Sequence, residues 1–101
     1  MFSGGSYHEV GRWLWNFLTS HAKRVDPRLE VELEAGDERE GKSYGARLRF
    51  GRLVSPVMEF DYREVADSRG SLAWCSALAE RTQELARARL GAQRTADAGA
   101  R

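Results

Sequence analysis

The segment RLEVELE, residues 28–34, alternates Leu29, Val31 and Leu33 with Glu30, Glu32 and Glu34. After the polar run AGDEREGKS, the segment YGARLRF alternates Tyr44, Ala46, Leu48 and Phe50 with Arg47 and Arg49. A period of two puts the apolar set on one face of a strand and the charged set on the other. The two segments therefore read as an antiparallel hairpin with one face buried and one face wet. A slip of one residue would turn an apolar set toward water, and charge narrows the choice further. An acidic strand beside a basic one sets Glu32 against Arg47 and Glu30 against Arg49, each pair stabilising by about 0.2–1 kcal/mol.

Such a sheet needs an apolar cover, and the flanking segments supply it. Ser6 and Glu9 have the spacing of a capping box. From there Val10, Leu14, Phe17, Leu18, His21 and Val25 recur every three or four residues, until Asp26–Pro27 ends the pattern. This predicts a first helix over about residues 7–24. GRLVSP carries Gly51 and Pro56 as breakers, and VMEFDYREV then alternates Met58, Phe60 and Tyr62 with Glu59, Asp61 and Arg63 as a third strand. Asp67 or Ser68 can cap a second helix with Trp74, Cys75, Leu78, Thr82 and Leu85 inward, running to about Leu90 and stopped by Gly91. The expected fold is an α+β two-layer sandwich in the order helix, three-stranded antiparallel meander, helix, with both helices on one sheet face. It is a single domain over residues 6–91, followed by a disordered tail over residues 92–101, AQRTADAGAR, which has no bulky apolar residue to anchor it.

The 16 Lys and Arg nearly balance the 15 Asp and Glu, so a net charge of +1 gives no global drive toward nucleic acid or anionic lipid. No apolar run is long enough for a membrane span, and FSGGSYHEV is no secretory leader. The lone Cys75 fits a reducing compartment, with the cytoplasm as the expected location. Chemistry is sparse. Cys75 with His21 would need an electropositive, half-exposed setting to act as a nucleophilic pair. Glu59 and Asp61 share a strand face beside arginines, without a cleft to perturb one of them. His8, His21 and Cys75 lack metal-ligand spacing, and SGGS before the first helix is no phosphate-binding fingerprint. No enzyme activity, cofactor or metal is expected.

Interaction is the remaining class. Three Trp, three Tyr and four Phe in 101 residues exceed what a minimal core demands, and aromatic side chains favour interfaces. Open strand edges invite pairing with another chain. The leading expectation is a protein-protein interaction or self-association module, with a protein partner or homodimer and with Trp13 and Trp15 as candidate interface residues. In GRWLWNFLTSH, Trp13 lies about 80° to one side of His21 and Trp15 about 120° to the other. Gly11 and Ala22 share the flank of Trp15, which suggests an approaching helix there through Trp74, leaving Trp13 for the sheet edge or for Leu53 and Val54.

The element order over residues 7–90 resembles that of double-stranded RNA-binding domains and of the core of ribosome hibernation factors. The lysine-rich opening of that family's second helix is replaced here by DSRGSLAW, with Arg69 the sole cation. The resemblance implies an alternative, RNA or ribosome binding through clustered phosphate contacts. Its candidate patch is Arg12, Lys23 and Arg24 on the first helix with Arg81, Arg87 and Arg89 on the second.

Overall fold

Ser6 starts the first helix: its Oγ accepts a hydrogen bond from the Glu9 N–H at 3.1 Å, and α1 runs Tyr7–Val25. Asp26 leaves helical geometry at φ −156° and ψ 124°, as the residue before a proline must. The computed structural model describes residues 5–99, with side chains as far as Gly91.

Strands β1, Glu30–Glu34, and β2, Ser43–Phe50, pair antiparallel in the expected register, Glu30 opposite Arg49 and Glu32 opposite Arg47. The third strand of the meander is broken into β3, Leu53–Val54, and β4, Met58–Asp61, both along the edge of β2 opposite β1. Between the pairs Arg49–Val54 and Ala46–Met58 the third strand carries one residue more than β2, a bulge over Ser55, Pro56 and Val57. Pro56 has no N–H for the ladder. Ser55 compensates, its N–H donating to the Leu48 carbonyl and its buried Oγ accepting from the Leu48 N–H, each at 2.8 Å.

The expected strand continuing through Tyr62 to Val65 is corrected. The chain turns helical at Tyr62 because Asp61 caps it, its carboxylate accepting from the Glu64 N–H at 3.1 Å, and the short α2 spans Tyr62–Ser68. The long helix α3, Leu72–Gly99, starts later than Asp67 or Ser68, with Ser71 Oγ accepting from the Trp74 N–H at 3.2 Å. Gly91 does not stop it. A glycine ends a helix when it turns left-handed, which Gly5, Gly41 and Gly51 do and Gly91 does not. The tail expected over residues 92–101 lies outside the described residues in residues 100–101 and in the side chains of 92–99.

Both long helices lie on one sheet face, α1 against β1 and β2 and α3 against β2 and β3, with the two helices in contact. Leu14, Leu18, Tyr44 and Leu48 are fully buried between the layers, and Val65 of α2 joins them. Three tyrosines fasten the start of α1 to the sheet. Tyr7 stacks on Tyr44 at 4.6 Å and donates to the Ser43 carbonyl, Tyr44 donates to the Tyr7 carbonyl at 2.6 Å, and Tyr62 donates to the Gly5 carbonyl. Burial raises the pKa of Tyr44, keeping it a donor.

Candidate interaction surface

The charged sheet face is spent on itself. The turn after β1, a 3-10 segment over Asp37–Arg39, sends Arg39 back across the sheet over Gly45, where a β-carbon would overlap its guanidinium. Arg39 reaches Glu59 at 2.8 Å and Glu34 at 3.3 Å, while Arg47 reaches Glu32 at 2.9 Å and Arg49 reaches the same Glu32 at 2.9 Å. With Arg47 also 3.5 Å from Glu34, the order Arg49, Glu32, Arg47, Glu34, Arg39, Glu59 alternates in sign across the sheet. The Arg39 hydrogen bonds hold Glu59 below its usual pKa. These six charges cancel one another, so none of them is left for a partner's charge.

The two sheet edges differ. Ser55 N–H to Leu48 O and Tyr62 N–H to Lys42 O, each 2.8 Å, show that the even residues of β2 bond toward β3 and β4. Alternation then turns Gly45, Arg47 and Arg49 toward β1, and leaves the N–H and C=O groups of Val31 and Leu33 facing outward on the β1 edge. That edge is closed at its centre: the Trp15 indole N–H donates to the Val31 carbonyl at 2.9 Å. On the far edge the same alternation leaves Val57 and Glu59 with outward backbone groups and, among the described residues, no ladder partner. Val57 is 41% exposed.

Beside this second edge runs a groove under α3. It consists of two adjoining depressions of about 160 and 320 Å³ that share Arg81. Met58, Phe60, Leu78 and Leu85 supply its apolar floor, and Ala77, Arg81, Glu84 and Ala88 its helical wall. A wider depression of about 430 Å³ is lined, among the described residues, by α1 alone, namely His8, Glu9, Arg12, Trp13 and Asn16.

The two tryptophans exchange the places expected of them. Trp13, not Trp15, meets α3, stacking on Phe17 at 5.2 Å and on Trp74 of α3 at 6.3 Å, while Trp15 goes to the sheet edge. The reason is visible at Gly11, where a β-carbon would lie 2.9 Å from Tyr44 and 3.7 Å from Leu33. The small flank of α1 admits sheet side chains rather than a helix. The described aromatic residues are thus mostly consumed internally, with Trp15 the exposed one at 41%.

Of the basic residues named for RNA, Arg89 donates to the Val54 carbonyl at 3.3 Å, Arg81 lines the groove, Lys23 donates to the Pro27 carbonyl at 2.9 Å, Arg12 borders the α1 depression, and the charge of Arg24 lowers the pKa of His21. Arg87 is exposed on α3. Cys75 Sγ lies 3.5 Å from the Arg69 carbonyl, and the His21 ring lies tilted at 49° against Phe17, 4.5 Å between centroids, with its Nδ1 buried and unbonded among the described residues. Among the described residues no group of three or more His, Cys, Asp and Glu is placed to hold a metal, and no helix is long and apolar enough to cross a membrane. Family models, characterised proteins and solved structures were compared with this chain, and none matches. The residues that sequence reasoning missed are Val57 and Glu59 as edge positions and Glu84 as part of a groove wall. The only signal for Glu84 was the spacing of Ala77, Arg81, Glu84 and Ala88 along one helix.

Proposed function

We propose that this is a non-catalytic protein-interaction domain that receives an extended backbone segment along the β4 edge, beside α3. The observation that carries this reading is the pair of outward, unpartnered backbones at Val57 and Glu59, set at the lip of an apolar groove. An added strand would gain main-chain hydrogen bonds from the edge and side-chain burial from Met58, Phe60 and Leu85, the two components of recognition by strand addition. The β1 edge supports this choice because Trp15 already occupies its Val31 carbonyl, and the depression beside it is lined by the polar Thr19, Lys23 and Glu30 as well as by Trp15 and Val31. The half-buried, unpaired thiol of Cys75 suits a reducing compartment such as the cytoplasm.

Selection from a phage-displayed library of random peptides tests the reading. Selected peptides should bind the full chain and lose binding to Glu59→Pro, which removes an outward N–H without touching the ladder to β2. Peptides that bind this variant undiminished, or failure to select any, would count against it.

A further inference from the structure

We infer that the segment received at the β4 edge is the same edge of a second copy of this chain. The inference deepens the interaction reading and rests on it. Along α3, Trp74, Ala77, Arg81, Glu84, Ala88 and Gly91 follow one another at spacings of three, four, three, four and three. The first five line the groove. This is the spacing of a helix-helix seam, and it reads the same in both directions.

A second α3 laid antiparallel about a two-fold axis midway between Arg81 and Glu84 therefore sets Arg81 against the partner's Glu84 twice over. The same operation sets Ala77 against the partner's Ala88, small against small. It also sets Trp74 against the partner's Gly91, large against small. Arg81 and Glu84 are both exposed, and neither forms an ion pair among the described residues.

The strand agrees with the helix. Arg81 borders both halves of the groove, one containing Val57 and Met58 and the other Glu59, so the axis that passes beside Arg81 passes near Met58. With Met58 opposite the partner's Met58, each outward Val57 faces an outward Glu59, and both pairs exchange N–H to C=O hydrogen bonds. The two sheets become continuous. The β1 edge cannot do the same, since Trp15 occupies the Val31 carbonyl and Glu30, Glu32 and Glu34 would face their own kind. Self-complementary charge at one edge and self-repelling charge at the other identify the occupant as another copy.

Sedimentation equilibrium of the full chain and its charge variants tests this. The wild-type mass should rise with concentration from 11.4 kDa toward twice that value. Arg81→Glu and Glu84→Arg should each weaken dimerisation by about a hundredfold, because like charges then face each other. An equimolar mixture of the two should restore it, because the two acidic side chains of the first variant then meet the two basic side chains of the second. Far-UV circular dichroism of each variant establishes that it is folded. A wild-type chain that stays at 11.4 kDa up to millimolar concentration overturns the inference, as does a dimer indifferent to both reversals. In the first case, peptides that bind at Glu59 would leave the interaction reading standing, whereas peptides indifferent to Glu59→Pro would remove that reading too.

Discussion

At Gly11 the helix backbone lies against the ring of a fully buried tyrosine. A β-carbon there would come within 2.9 Å of Tyr44, whose ring is fixed by the stack with Tyr7 and by a hydrogen bond to the Tyr7 carbonyl. The usual gain in helix propensity from Gly to Ala is about 1 kcal/mol, and overpacking a core costs about 1–3 kcal/mol. Because the obstacle is a rigid ring, overpacking wins, and Gly11→Ala should lower stability in urea denaturation by about 1 kcal/mol net. His21 sets a pH dependence. Burial first, and Arg24 second, hold its pKa below the usual 6.5. The unfolded chain therefore takes a proton more readily than the folded one. The stability this contributes is complete above the unfolded value of about 6.5 and is lost as pH falls toward the lowered folded value. In His21→Phe the slope of stability against pH just below about 6.5 should flatten. An unchanged slope would place the titration elsewhere. Asp26, held at about 2 by Arg28, and Glu59, lowered by Arg39, act on the carboxylate side and leave that window untouched.

At the level of elements, the third strand and the β1 edge each depend on one side chain that replaces a backbone partner. Ser55→Ala removes the acceptor of the buried Leu48 N–H next to a proline that cannot help. A buried donor left unsatisfied costs about 1–3 kcal/mol, so the urea midpoint should fall accordingly. Trp15→Phe keeps the ring but loses the indole N–H to the Val31 carbonyl. It should cost about 0.5–1.5 kcal/mol and speed amide exchange at the neighbouring β1 edge. The same elements show what the sequence could and could not convey. The ends of α1 were legible because Ser6 and Pro27 act on the adjacent backbone. The β1–β2 register was legible because hydrophobic and charge alternation agree. The end of β4 was not, since Met58, Phe60 and Tyr62 keep a period of two although Tyr62 already begins a helix. Over so few residues the strand and helix periods cannot be told apart, and Asp61 decides by capping. The exchange of Trp13 and Trp15 was hidden for another reason. The helical wheel gives two flanks, but only the Tyr44 ring at Gly11 says which one faces the sheet.

For the molecule as a whole, the groove was illegible because it lies between elements far apart in sequence. Arg81 reads as a candidate phosphate contact and Glu84 as an outward helix charge until β4 is placed beside them. The layered fold assigns each surface a different fate: a sheet face whose charges pair with one another, an edge blocked at Val31 by Trp15, and an edge left open at Val57 and Glu59. Amide hydrogen exchange on the full chain, followed residue by residue across a range of concentrations, reads the state of that open edge. The Val57 and Glu59 amides should exchange fast in dilute solution and become protected as the chain associates, while those of Val31 and Leu33 do not change. Association that leaves Val57 and Glu59 exchanging as fast as before would contradict pairing at this edge.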